Sequence, residues 1–485
     1  MPFSRHIQRL LLGMMVACAI IILSAAYWSV FGSDTLLLRE DNPRLFEAQA
    51  SIVRGEIRDR RDELLVQSIQ AENGWVSRDY LYPETNGFLG YYSLQYGVGG
   101  IEGMYNEILR GDDLERDFGT YLSQDLIHLP QQGSDIQLTL DLEIQRAVHE
   151  SMGDHTGAAV VLSAANGEIL AMLSLPTYDP NQLDENWKTL IDDPRDPFYQ
   201  RVLQGNYQPG GMLQTPLVTA AILADYPVNT RAPGGSADVR TGGVMISCAT
   251  RAPADNISLG EAYGFGCPAH FDTLYQFLGP YTVESILAQF QLYDSPFILD
   301  GFVSEPGDDV VRFIPTPPVD DGLASAEQHR ADALGQGDIL VTPMTMAAIT
   351  AAMINNGNAP RPYTLLARRL PGETTWQPVN QNLPTIPITT AETSRRVQQL
   401  MRNATVTGGA RDAARSGINV GGHIALAYAG DSTLSWFVGF VITGPNQGVA
   451  IALVLEDEDD PREAATIGGQ ILESAYNRMI GTGRD

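Results

Sequence analysis

The sequence predicts an α+β protein, and three observations carry that prediction. Residues 157–162 and 168–173 are apolar runs on either side of Asn166-Gly167, the pattern of a β-hairpin with a favoured two-residue turn. Residues 424–428, 435–443 and 449–456 read as three further strands, and 463–476 as a closing helix. Residues 344–354 are a long apolar helical run stopped by Asn355-Asn356-Gly357, where glycine suits a helix end.

At the start of the chain, residues 1–9 carry Arg5, His6 and Arg9, and 10–31 hold no charged residue. A helix of about 20 apolar residues crosses a bilayer. Basic residues before the run, and only Arg39 among Asp34, Glu40 and Asp41 after it, place the N-terminus in the cytoplasm and the bulk of the chain outside. A cleaved signal peptide with an exit at Ser24-Ala25-Ala26 is the competing reading. The run is longer than the roughly 7–15 residues of a signal core, which favours an uncleaved single-pass anchor in the cytoplasmic membrane. The 485 residues, 44% of them apolar, suffice for two or three domains with a substantial core. A formal net charge of −27 argues against nucleic acid, and against anionic lipid as a partner of the folded part. Of three cysteines, Cys18 lies in the span, and Cys248 and Cys267 fall outside the membrane, where a disulfide and two buried thiols are both open.

Residues 32–130 lack a single long helical pattern and read as a membrane-proximal module. From Asp135 the chain alternates through Ile136, Leu138 and Leu140, then opens a helix at Asp141 that runs to Met152. Ser174 to Asn181 reads as extended. A Pro-Gly turn at Tyr207-Gln208-Pro209-Gly210-Gly211 leads into the apolar run 217–223, a loop feeding a helix N-terminus. Residues 225–255 are loop-like, with Gly234-Gly235 and Gly242-Gly243, and helices are expected over 259–277 and 283–291. The acidic run 456–460 is expected to be a solvated turn at the start of the last helix.

Several segments carry a family resemblance. Arg54-Gly55-Glu56-Ile57-Arg58-Asp59-Arg60, preceded by Asn42-Pro43-Arg44, is similar to the opening Arg-Gly-x-Ile-x-Asp-Arg-Asn-Gly of class B penicillin-binding proteins, with Arg61-Asp62 in place of Asn-Gly. Gly90 to Glu102, Tyr105, the 157–173 hairpin, Gly335-Gln336-Gly337 before the 344–354 helix, and Trp436-Phe437-Val438-Gly439 also resemble that family. The resemblance implies a short tail at 1–9, an anchor at 10–31, a pedestal at 32–130 and, over 131–485, a transpeptidase-like domain with an antiparallel sheet flanked by helices. It implies no cofactor and no metal. Its implied partners are the membrane, peptidoglycan and cell-wall synthesis proteins, including a SEDS-type glycosyltransferase.

The family's chemistry needs three motifs, and the resemblance places each one. Pro-Gly-Ser-x-x-Lys, in which Ser attacks a D-Ala-D-Ala carbonyl and Lys takes its proton, falls on Pro209 to Gln214, with Gly211 for the serine and Gln214 for the lysine. Ser-x-Asn falls on Gly266-Cys267-Pro268. Lys-Thr-Gly falls on His423-Ile424-Ala425, where His423 stands in the place of a carboxylate-binding cation and is the one candidate for residual binding. Lys188 is the only lysine in the chain. Arginine keeps its proton and is no base. These losses imply a catalytically inactive homologue that acts as scaffold or regulator of cell-wall synthesis. Two rivals stay open: an acyl-transferase with a relocated nucleophile, for which only Thr215 offers itself, and a non-covalent sensor of wall peptide or β-lactam.

Overall fold

Phe3–Val30 forms one helix, α1, of 28 residues. At about 1.5 Å per residue it is long enough to cross about 30 Å of hydrocarbon. Its window Ile7–Ser24 has a mean hydropathy of 2.1 and is not buried against any of the described residues. The computed structural model describes residues 3–30, 49–72, 74–114, 130–293, 326–379, 384–445 and 447–481. The charges expected to orient the anchor, Asp34 to Asp41, and the segment Asn42-Pro43-Arg44 lie outside them.

A six-stranded sheet follows. Strands β1 (Ile57–Arg58), β2 (Leu64–Gln70) and β3 (Val76–Tyr80) are joined by β4 (Asp135–Leu138), which runs parallel to β1. Strands from either side of residue 130 therefore share one sheet. Beneath it, Arg54, Arg78 and Glu102 form a buried ion triad, with Arg54 Nη2 at 2.6 Å and Arg78 Nη2 at 2.6 Å from the two carboxylate oxygens.

Helix α2 (Leu142–Met152) starts where expected, because the Asp141 carboxylate accepts from the Glu143 N–H. Its Gln145 closes the open edge of the next sheet. The side-chain amide receives the Met172 N–H at 2.9 Å and donates to Met172 O at 3.1 Å and Glu84 O at 2.9 Å, as a neighbouring strand would. Replacing a fully buried side chain that satisfies three backbone groups leaves them dry and unpaired, so Gln145→Ala should cost about 2–3 kcal/mol in urea unfolding.

Strands β5 (Gly157–Ser163) and β6 (Ile169–Leu175) are the predicted hairpin. The two-residue turn is a correction: five residues connect the strands. Ser163 N–H donates to Glu168 O and Ser163 O accepts from Gly167 N–H, so the loop closes at Ser163 and not at Ala165, while Gly448 O and Tyr363 N–H bond the outward-facing Ala164 N–H and Gly167 O. Gly167, at φ +84°, supplies the left-handed residue that this wider loop needs.

Helices α3 (Gln214–Leu223), α4 (Leu259–Phe265), α5 (Ala269–Leu278) and α6 (Pro280–Gln289) make the helical half. The single helix expected over 259–277 is two. Gly266 ends α4 in the left-handed conformation, and Pro268, lacking an N–H, precedes α5. Helix α7 (Pro343–Ile354) is buried at every residue, starts at Thr342, whose hydroxyl receives the Thr345 N–H, and carries Pro343 in its first turn. Strands β7 (Leu365–Arg369) and β8 (Gln377–Pro378) return to extend the first sheet beside β4.

After helix α8 (Ala391–Val406), strands β9 (Val420–Ala429), β10 (Ser432–Gly444) and β11 (Gln447–Glu456) complete a five-stranded antiparallel sheet in the order β9-β10-β11-β5-β6. Period-two alternation assigns its faces. Ala158, Val160 and Leu162 join the core that contains α3 and α7, and Ala159 and Val161 join the one that contains α2 and the last helix, α9 (Pro461–Gly481). The acidic run before α9 is only partly solvated. Glu456 turns inward and accepts from Arg201 Nε at 2.9 Å and the Tyr207 hydroxyl at 2.5 Å.

Candidate active-site cleft

The 207–214 loop is pinned to three segments. Tyr207 exchanges backbone bonds with Val341, Trp436 Nε1 donates to Gln208 O at 3.0 Å, and Gly210 N–H donates to Gly335 O at 2.9 Å. Gly210 has φ +50°, and a Cβ there would lie 2.2 Å from Leu426 O, so the loop reaches β9 only as glycine. Residues Gly210–Leu213 form one 3₁₀ turn before α3 begins.

This anchoring brings Gly211, Gln214, Gly266, Pro268 and Ala425 around one cleft. A Cβ built on Gly211 would stand 3.0 Å from the Ala425 methyl and 3.4 Å from Gln214 Nε2. Gln214 is buried; its Nε2 donates to Cys267 O at 3.4 Å, and its Oε1 has no hydrogen-bond partner among the described residues. Gly266 sits at φ +63° with Ala249 Cβ 2.7 Å from its missing side chain. The space left between Gly211, Gln214, Pro268, Gln336 and Leu426 measures about 20 Å³. That is room for about one water molecule.

Of the β9 residues singled out, Ile424 points away from the cleft into the opposite core. His423 departs from its expected role as a cation. It is the fourth residue of β9 and is fully buried. Its ring stacks on Tyr263 at 4.2 Å and 8°, and Nε2 donates to Gly211 O at 3.0 Å. Burial lowers its pKa from 6.5 to about 4, against the opposing effect of its backbone bonds, so the imidazole is neutral at pH 7.

Because the folded pKa lies below the unfolded one, protons favour the unfolded chain. The stabilisation is complete above about pH 6.5 and is lost as pH falls towards about 4. Imidazole nitrogen shifts should therefore stay those of the neutral ring at pH 5.5, and titration near 6.5 would contradict this burial.

Thr215 is buried and its hydroxyl pairs with Tyr263 OH at 3.1 Å. Burial raises the Tyr263 phenol well above its usual range, so it is no base. Tyr263, which organises both His423 and Thr215, was not singled out from the sequence. Cys248 and Cys267 are joined in a disulfide. Among the described residues, no group of three or more His, Cys, Asp or Glu side chains is placed to hold a metal ion.

The comparisons with known proteins agree with this architecture. Residues 157–476 match the penicillin binding protein transpeptidase domain. The chain is 27% identical over 503 residues to the peptidoglycan D,D-transpeptidase PbpA of Mycolicibacterium smegmatis, covering 96% of each. It is 30% identical over 167 residues, 31% of this chain and 26% of the relative, to MrdA of Escherichia coli. Among solved structures, penicillin-binding protein A of M. tuberculosis as an imipenem acyl-enzyme aligns at TM-score 0.72 and 24% identity, over 88% of this chain and 99% of that one. A D,D-transpeptidase domain from Eggerthella lenta aligns at TM-score 0.71 and 23% identity, over 89% and 99%. With two thirds of its length matched to that domain and the same fold around the cleft, the chain belongs to the penicillin-binding protein transpeptidase family.

Proposed function

We propose that this chain is a membrane-anchored, non-acylating member of its family that serves peptidoglycan synthesis as a scaffold or regulator. The observation that carries the reading is Gly211. It has no side chain to acylate, and the Ala425 methyl, 3.0 Å from where a Cβ would stand, crowds the place. Gly211, Gln214, Gly266, Pro268 and Ala425 then stand for the nucleophile, base, second hydroxyl, amide and strand glycine of the family's three motifs. A neutral amide cannot take a proton, and neither glycine nor proline donates one from a side chain.

The rival readings meet the same geometry. A relocated nucleophile at Thr215 would be buried and without a base. A sensor would have to seat a peptide or a β-lactam over a cleft whose inner space, between Gly211 and Pro268, holds about one water. Peptidoglycan enters the proposal through the names of the relatives, which are peptidoglycan D,D-transpeptidases. The division at 130 into a pedestal and a transpeptidase-like domain, with α1 spanning the membrane and the N-terminus inside, belongs to the same reading.

Affinity purification of the full chain from membranes in mild detergent tests the scaffold role. A SEDS-type glycosyltransferase is expected to come with it, and to do so equally with Gln214→Ala. Purification free of any cell-wall synthesis protein would contradict the reading.

A further inference from the structure

The disulfide lies across the cleft. Cys267 is the middle residue of the turn Gly266-Cys267-Pro268, and its carbonyl is the one partner of the Gln214 amide among the described residues. Cys248 follows a short hairpin of Val239–Thr241 and Val244–Ile246, whose end, Ile246 and Ser247, lines the same small cavity. The two walls are otherwise joined near the bridge by two backbone bonds, Ala249 N–H to Gly266 O and Thr250 N–H to Phe265 O, both 3.2 Å. These are at the long end for N–H···O bonds. Cys267 is fully buried, whereas Cys248 is half-buried beside the exposed Ser247 and Met245. One cysteine is thus partly exposed, and the other carries the carbonyl that bonds Gln214.

We infer that the Cys248–Cys267 bond is a redox latch on the cleft: a small dithiol reduces it and frees the 244–250 strap from the 265–268 turn. In the step the dithiol gives up two electrons and two protons, both cysteine sulfurs become thiols, and the reductant closes to its own disulfide. Cys267, no longer tethered, then releases Gln214, and the cavity between Gly211 and Pro268 widens. The inference rests on the reading of this cleft as closed and non-acylating, and it adds the means by which closure is kept.

Amide hydrogen exchange on the full chain in detergent micelles, with and without dithiothreitol, tests it. Reduction is expected to speed exchange at least 10-fold over 244–250 and 265–268, and also over 211–214, which has no covalent tie to the bridge. Exchange over 434–442 and 464–475 should not change. A staple of merely local effect would leave 211–214 unaltered, and that result overturns the latch. Acceleration across every element overturns it too, since the bridge would then hold the whole domain. The variant Cys248→Ser/Cys267→Ser should show the fast rates without reductant and no response to it; should that variant not fold, the native chain with and without dithiothreitol decides alone. A penicillin adduct on the oxidised chain would remove the non-acylating reading and leave the exchange result standing. Unchanged exchange over 211–214 would remove the latch alone.

Discussion

The double variant Gly211→Ser/Gln214→Lys should remain unlabelled by fluorescent penicillin. A nucleophile and its base act as a unit, and losing the nucleophile costs on the order of 10⁶ in turnover, so returning both would seem sufficient. The cleft argues otherwise. A serine Cβ at 211 meets the Ala425 methyl at 3.0 Å, tighter than ordinary contact. The lysine would enter a space of about 20 Å³ between Gly211 and Pro268 and take up most of it. Gly266 cannot be returned to serine without strain, because it is left-handed and faces Ala249 at 2.7 Å. Adding Ala425→Gly relieves the first contact and leaves the others. Labelling of either variant near one drug per chain would show that the fold still holds a working site.

Glu102→Gln should destabilise the chain by about 3–5 kcal/mol, read as a large drop in the urea midpoint. The carboxylate is fully buried between Arg54 and Arg78, themselves buried, and neutralising it leaves two cations in the interior without their counter-charge. Arg54 also bonds Asn106 Oδ1 at 2.7 Å and lies over the Tyr92 ring at 4.5 Å, so it cannot swing out to water cheaply. Burial by itself raises the Glu102 pKa, but the two guanidiniums outweigh it and the net shift is downward. A carboxyl lowered in the folded state stabilises above its unfolded pKa near 4.5, and that contribution is lost as pH falls through the lower folded value. The native chain should therefore lose stability below about pH 4.5 more steeply than Glu102→Gln, which has no such proton to take.

Much of this fold is legible in the sequence wherever local chemistry decides. Asp141 before Leu142 and Thr342-Pro343 before Met344 start helices through bonds made within three residues. The continuous apolar runs at 157–162 and 449–455 become strands buried on both faces. What the sequence hides is set by partners far along the chain. Asn166-Gly167 has the composition of a tight turn, but the loop closes at Ser163, and its Gly167 carbonyl is bonded by Tyr363, almost two hundred residues later. Strand β7 joins the first sheet only because β4 offers it an edge. At the cleft, Gly211, Gln214, Gly266 and Pro268 could be singled out only because the resemblance to class B penicillin-binding proteins implies a motif at each place. The neutral state of His423 could not, since it comes from burial against Tyr263, 160 positions earlier.

The central claim is that no acyl bond forms on this chain. Intact-mass measurement of the detergent-solubilised full chain after prolonged incubation with excess penicillin tests it most directly. The account predicts an unchanged mass, and an added mass equal to one drug molecule would contradict it.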